Sequence, residues 1–144
     1  TDDDAKKVLS ALEMTDTLSL KSKRFYELSD GQLQRVLIAR ALAQDTDIII
    51  LDEPTAHLDI HHTIKVFTLL KELVKKTHKT VLISSHEVNL SIQLADSLLL
   101  MSSEGLISGT TEDLIDKKAF DSLFPKELIN FNSDLKQFII QQKK

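Results

Sequence analysis

The sequence predicts an α/β fold in which parallel strands are flanked by helices. The apolar run Ile48–Leu51, bounded by polar residues, suits a strand buried on both faces of a parallel sheet. Thr80–Ser84 is a second run of this kind. Between them, apolar residues at helical spacing predict an amphipathic helix that ends before Lys79: Ile60, Ile64, Phe67, Leu70 and Val74. Strands that alternate with helices indicate a parallel sheet.

Composition sets the outer limits of the interpretation. The 144 residues suffice for one domain with a core, and 42% hydrophobic and 28% charged residues are ordinary for a globular protein. A net charge of −4 does not indicate nucleic-acid binding. The absence of cysteine excludes disulfides and thiolate chemistry. No apolar run is long enough to span a bilayer, and Thr1–Asp4 is not a signal peptide.

Two helices are predicted ahead of the first strand. Asp2–Met14 carries an apolar stripe, and its three aspartates favour the positive end of a helix dipole. Thr15–Glu27 is a polar connection. A second helix is expected to begin at Ser29, where Gln32 completes the spacing of a capping box, and to end near Gln44.

Shorter elements are predicted after the second strand. We expect a short helix, a hairpin of two strands joined by a turn, and a further helix, in the ranges Asn89–Ala95, Ser97–Met101, Ser102–Gly105, Leu106–Ser108 and Thr110–Lys118. In the tail, Leu128–Phe131 and Leu135–Ile140 are compatible with a hairpin, while Ser133 could instead cap a terminal helix. We favour the hairpin.

Polar side chains that could bind a cation or transfer a proton follow both predicted strands. Asp52 and Glu53 end the first strand, and His86 follows the second. Open α/β sheets bind their ligands at the carboxyl ends of strands, so two carboxylates there indicate a cation site, a proton-transfer role, or both. Structural alternatives exist for each residue. The carboxylates could form a solvated acidic turn, the histidine could be an ordinary surface residue, and Asp59 could simply cap the following helix.

Four ordered motifs together resemble the ATP-binding subunits of ABC transporters. Leu28–Arg35 resembles the signature motif of that family, although Asp30 replaces the common glycine, and Ile48–Glu53 resembles a Walker B strand followed by a catalytic glutamate. Ala56–Asp59 resembles the D-loop, and His86 the switch histidine. Four motifs in the right order are far more specific than any one alone.

The resemblance implies a partial P-loop NTPase core with part of the helical subdomain. Residues 1–45 would end the helical subdomain, 46–110 would form the C-terminal half of the RecA-like core, and 111–144 would form a C-terminal helix and tail. None of the three glycines stands in the G-x-x-x-x-G-K-[ST] pattern of a Walker A loop. We therefore expect a segment of a longer domain that is inactive by itself.

Site roles also follow from the resemblance. Asp52 would bind Mg²⁺, and Glu53 and His86 would be catalytic. The remaining candidate residues would contact ATP or the dimer interface from the opposite subunit: Ser29, Gly31, Gln32 and Asp59. The histidines 57, 61 and 62 lack a completing cysteine or carboxylate at ligand spacing, so zinc binding is not favoured.

The implied function is that of an ATP-hydrolysing subunit of an importer. The motif variants look most like importers of iron-siderophore, haem or cobalamin. Expected partners are a second ATP-binding subunit in a homodimer and a transmembrane permease, with the protein peripheral at the cytoplasmic face of the membrane. Two alternatives stay open: an ABC-type ATPase associated with nucleic acid or ribosomes, and an inactive segment that serves only as an interaction module.

Overall fold

The computed structural model describes residues 1–102, 105–125 and 127–141, which form alternating helices and strands. The helices are α1 (Asp2–Met14), α2 (Asp30–Ala43), α3 (Ile60–Thr77), α4 (Val88–Leu94) and α5 (Thr111–Asp116). The strands are β1 (Ile48–Leu51), β2 (Thr80–Ile83), β3 (Leu98–Ser102), β4 (Gly105–Gly109), β5 (Ile129–Asn132) and β6 (Gln137–Ile140). The chain divides into two compact units, of which the first is Thr1–His86 and the second begins at Glu87.

The first unit contains the predicted parallel pair of strands. β1 and β2 run parallel with Ile48 opposite Thr80 and Leu51 opposite Ile83. Helix α3 makes the crossover between them, as parallel pairing requires. Helices α1, α2 and α3 contribute, with Ile49 of β1, to one buried apolar cluster. The α/β fold class predicted from the sequence is confirmed.

Side-chain caps define where the helices begin. The Ser29 hydroxyl accepts from the backbone N–H of Gln32, and the Gln32 side chain accepts from the Ser29 N–H, which completes a capping box. The Asp59 carboxylate accepts from the backbone N–H of His62 at the start of α3. Both predicted caps are confirmed, because short polar side chains compete well for the unpaired N–H groups of a first helical turn.

The expected burial of both faces of the first strand is wrong for this chain. Ile49 is 5% exposed, whereas Ile48 is 59% and Ile50 is 71% exposed. Alternate side chains of a strand point to opposite faces, and buried residues from α1, α2 and α3 cluster with Ile49. The apolar run therefore correctly predicts a strand, but only one face of β1 is covered within the described residues.

The second unit holds two hairpins and two short helices around a small aromatic cluster. Strands β3 and β4 pair antiparallel, which confirms the predicted hairpin, although Ser103 and Glu104 of its predicted turn lie outside the described residues. In the tail, β5 and β6 pair with Phe131 opposite Phe138. The Phe120 ring stacks on Phe131 at a centroid distance of 4.4 Å.

This cluster explains the conformation of the tail. Each strand of the β5–β6 hairpin contributes one phenylalanine to the apolar cluster of the second unit. The favoured hairpin is confirmed, and the alternative of a terminal helix is wrong.

The division into segments 1–45, 46–110 and 111–144 follows motifs rather than contacts and stays a prediction. Across the part of the chain that the structure describes, no helix is both long and apolar enough to cross a membrane.

One ion-pair cluster ties three elements of the first unit together. The Asp45 carboxylate, after α2, lies 2.9 Å from the Lys79 ammonium, next to β2, and 3.3 Å from that of Lys7 in α1. Hydrogen bonds from Lys79 and then Lys7 hold the pKa of Asp45 below its usual value. The carboxylate therefore binds its proton less readily in the folded chain than in the unfolded chain.

We expect the Asp45 carboxylate to contribute to stability in a pH-dependent way. Because its folded pKa is lowered, the contribution is complete above the unfolded value of about 3.9 and is lost as the pH falls through the folded value. The difference in urea midpoint between the wild-type chain and Asp45→Asn should therefore shrink between about pH 6 and about pH 2.5. Asparagine tolerates the φ of 54° at this position.

The exposed neighbour Asp47 offers a matched control for this measurement. Asp47→Asn makes the same chemical change two residues away, and we expect it to leave the wild-type pH profile of stability in place. A difference between the wild type and Asp45→Asn that stays constant over the whole pH range would contradict the assignment.

Candidate active site

The register of β1 and β2 places two short polar segments side by side. Leu51 and Ile83 are paired as the last residues of their strands, and the Ser84 N–H donates to the Leu51 carbonyl at 3.1 Å. Asp52 and Glu53 follow one strand, and Ser84 and His86 follow the other. The carboxyl ends of these parallel strands therefore present carboxylate, hydroxyl and imidazole groups at one edge, where open α/β sheets bind ligands.

Glu53 and His86 are in direct contact at this edge. The His86 Nε2 lies 2.7 Å from the Glu53 Oε1, and the two side chains are 87% and 46% exposed. An exposed contact of this kind stabilises a fold by about 0–1 kcal/mol, so its contribution to stability is small. The predicted proximity of Glu53 and His86 is confirmed, and the pair is open to a ligand and to water.

Ser84 links the two carboxylate residues of the edge. Its hydroxyl donates to the Asp52 Oδ1 at 2.6 Å and accepts from the backbone N–H of Glu53 at 2.8 Å. One hydroxyl thus fixes the rotamer of Asp52 and the peptide plane that leads into Glu53. The sequence alone indicates no role for Ser84. Its position at the end of a predicted strand can be read from the sequence. Its bonds to Asp52 and Glu53 follow only from the strand register.

The backbone at Glu53 is in an unusual conformation. Its φ is 44°, in the left-handed region, which costs a residue with a Cβ about 1–2 kcal/mol. Burial and a hydrogen bond restrict the residues that follow. Pro54 and Thr55 are buried, and the Ala56 N–H donates to the Glu53 carbonyl at 3.0 Å. Strained backbone conformations persist where their surroundings fix them.

The other predicted binding residues lie at two helix starts of the first unit. Ser29 caps α2, and Gly31 and Gln32 are in its first turn, where free N–H groups favour anions. Asp59 caps α3, and its pKa is lowered first by the backbone N–H of His62 and then by the His62 side chain. The carboxylate therefore stays ionised to lower pH than an ordinary aspartate.

The donor set at the strand ends fits Mg²⁺ bound together with a nucleotide. Mg²⁺ in such sites takes one or two carboxylates and completes its shell with water and phosphate oxygens. Asp52 is exposed and has one oxygen held by Ser84, which leaves the other free to face a ligand. Within the described ranges, no group of three histidine, cysteine or acidic residues lies close enough to hold a metal by itself.

Comparisons with known proteins identify the family of this chain. The sequence model of the family described as ABC transporter matches residues 1–56. The petrobactin import ATP-binding protein FpuD of Bacillus anthracis is 38% identical over 125 residues, which is 86% of this chain and 46% of that protein. The molybdate import ATP-binding protein MolC of Haemophilus influenzae is 33% identical over 116 residues, or 81% of this chain and 46% of that protein.

Solved structures show the same relationship. An inward-facing ABC transporter of the metal-chelate type matches with a TM-score of 0.76 and 30% identity, covering 93% of this chain and 54% of that one. The dimeric structure of a bacterial ABC transporter cassette matches with a TM-score of 0.55 and 36% identity, covering 65% of this chain and 40% of that one.

The fold is that of the ABC transporter ATP-binding domains. The chain belongs to the family of ABC transporter ATP-binding domains, and it has relatives among the ATP-binding proteins of siderophore importers. It spans about half the length of the curated relatives that it matches.

The Ser84 bridge generates a testable expectation for the complete ATP-binding subunit. Ser84→Ala removes the hydroxyl that holds Asp52 and the Glu53 peptide, so we expect the ATPase rate to fall about tenfold, as is typical when a group that orients a metal ligand is lost. Ser84→Thr keeps a hydroxyl and suits a strand end, so it should retain most of the activity. Steady-state phosphate release measures both variants.

Ser91 in α4 supplies a matched control. Its exposed hydroxyl donates to the Glu87 carbonyl within the same helix, away from the strand ends in sequence. Ser91→Ala should leave the ATPase rate unchanged. If Ser84→Ala were as active as this control, the bridge would have no part in the reaction.

Proposed function

We propose that this chain is part of the ATP-hydrolysing subunit of an ABC importer. The observation that carries the proposal is the contact between Glu53 and His86 beside Asp52, at the carboxyl ends of two parallel strands. This arrangement offers a base, a hydrogen-bond donor and a metal-binding carboxylate at one edge. Phosphoryl transfer to water needs such groups, because its catalysis consists mainly of positioning and electrostatic stabilisation.

Glu53 is proposed as the group that orients or deprotonates the attacking water. A general base must lie within hydrogen-bonding reach of its proton, and the half-exposed carboxylate is open to solvent. The His86 Nε2 lies 2.7 Å from one carboxylate oxygen, so an N–H at this atom restricts the rotation of the Glu53 side chain while the second oxygen stays available for water. The Ser84 hydroxyl holds the Glu53 backbone from the other side.

Mg²⁺ and ATP are the proposed ligands of the strand-end site. When bound, Mg²⁺-ATP supplies the phosphoryl group and the positive charge that offsets its developing negative charge. Asp52 is the residue proposed to hold the metal. Its rotamer is already fixed by Ser84, so the carboxylate is oriented before any ligand arrives.

The second proposed contact with nucleotide is the start of α2. Helix N-termini bind anions through free backbone N–H groups, and Gly31 lies in the first turn of α2, where such groups are found. We propose that Ser29, Gly31 and Gln32, with Asp59 at the start of α3, act on ATP held by a second copy of the subunit. The similarity to a dimeric ABC transporter cassette supports this partner.

A membrane permease is the proposed second partner. The similarity to a metal-chelate type ABC transporter supports an importer subunit that docks at the cytoplasmic face of the membrane. The proposed cargo is an iron-siderophore, haem or cobalamin chelate, which the petrobactin import relative supports. The molybdate import relative makes an oxyanion the competing cargo.

The catalytic role of Glu53 can be tested in the complete subunit. Glu53→Gln keeps the shape of the side chain and loses the base, so turnover should fall by about 10²–10⁴-fold while ATP binding is retained. ATPase assays and a nucleotide-binding titration measure the two effects separately. The matched control is Glu72→Gln, at an exposed position on α3, which should hydrolyse ATP like the wild type. Substantial turnover by Glu53→Gln would remove this residue from the catalytic role.

The cargo class can be tested by deletion of the complete gene. We expect growth on a chelated iron or corrinoid source to fail, while uptake of sugars and amino acids stays intact. Restoring the gene should restore growth, and restoring it with Glu53→Gln should not. A selective defect in molybdate, sugar or peptide uptake would reject the chelate cargo and leave the ATPase assignment in place.

A further inference from the structure

Gly31, in the first turn of α2, is covered by the side chain of His62 in α3. A Cβ built on Gly31 would lie 2.6 Å from the His62 Cδ2, and its three nearest atoms all belong to the His62 ring. Contacts under 3.0 Å force a shift of one partner. Since the φ of Gly31 is outside the left-handed region, the glycine is required here by space and not by backbone conformation.

The His62 ring is tethered on its other side by Asp59. The His62 Nδ1 lies 3.0 Å and 2.9 Å from the two carboxylate oxygens of Asp59, and the same carboxylate accepts from the His62 backbone N–H at 2.8 Å. The imidazole therefore cannot swing away from Gly31 without losing its bond to the residue that caps α3. A flexible side chain would tolerate an added methyl group at position 31, whereas a tethered ring does not.

We propose that His62 is a positioning residue that fixes the start of α2 against the start of α3. The inference rests on the proposed function, in which Gly31 and Asp59 both act on ATP held by the partner subunit. Two segments that meet the same nucleotide must keep a constant separation. A single planar ring, bonded to Asp59 and packed on Gly31, sets that separation and makes the two segments move together.

The neighbouring histidine provides the comparison. The His61 ring meets the His62 ring edge-on with centroids 5.6 Å apart, but the atoms nearest to Gly31 are those of His62. The two residues share a helix turn and a side-chain type. Their substitutions therefore separate the contact with Gly31 from any general effect of losing an imidazole.

The first test is a double-mutant cycle on the stability of the chain. Gly31→Ala should raise the unfolding constant because the new methyl group overlaps a tethered ring. In the His62→Ala background the same change should be neutral or stabilising, because alanine is a better helix former than glycine. We expect the unfolding constant of the double variant to be about tenfold below the value that the single variants predict. Additive effects would overturn the contact.

The second test uses the ATPase activity of the complete subunit. His62→Asn keeps a side-chain N–H for Asp59 but is too short to pack on Gly31, while His62→Phe keeps the ring and loses the donor. We expect His62→Asn and His62→Phe each to lower kcat about fivefold with an unchanged KM for ATP, because each variant loses one of the two contacts that hold the ring in place. His61→Asn is the matched control and should behave like the wild type.

Each outcome bears on a different claim. A wild-type subunit that hydrolyses ATP, with His62→Asn equal to the His61→Asn control, would overturn the positioning role alone. A wild-type kcat in His62→Phe would overturn the role of the bond with Asp59 and leave the ring contact alone as the positioning element. A wild-type subunit without ATPase activity would overturn the proposed function, and the positioning role with it.

Discussion

The parallel pairing of β1 with β2 is the constraint on which the candidate site depends. Asp52 and Glu53 are separated from Ser84 and His86 by about thirty residues, and the contacts Ser84–Asp52 and His86–Glu53 form because Leu51 and Ile83 end their strands in register. A shift of one residue in this register would exchange the faces to which the side chains point. Such a shift would expose Ile49, which is the buried isoleucine of β1, in exchange for one of its exposed neighbours Ile48 and Ile50.

Helix starts and strands of the first unit could be predicted from the sequence because their causes are local. Ser29 with Gln32, and Asp59 before an apolar stripe, contain within a few residues the groups that cap a helix. The burial of β1 could not be predicted in the same way. An apolar run such as Ile48–Leu51 reports that a strand forms, but what covers each face depends on packing partners that are distant in sequence.

The site could be predicted only in part, for a related reason. Resemblance to a family identifies Asp52, Glu53 and His86 by their order along the chain, and the structure adds the contact of Glu53 with His86. Ser84 and His62 carry no motif of their own. Their importance lies in what they touch, a peptide N–H in one case and a glycine in the other, and such contacts appear only when the register and the helix packing are known.

The left-handed backbone of Glu53 has a consequence for the evolution of this chain. A glycine at position 53 would relieve the strain of a φ of 44°, so selection for stability alone favours loss of the carboxylate. Under the catalytic role proposed for Glu53, selection for stability and selection for chemistry therefore oppose each other at this residue. Retaining the glutamate requires surrounding structure that holds the strained turn, and the buried Pro54 and Thr55 and the Ser84 bridge provide it. With that proposed role, a substitution in the turn after β1 that raised thermal tolerance would do so at the expense of turnover.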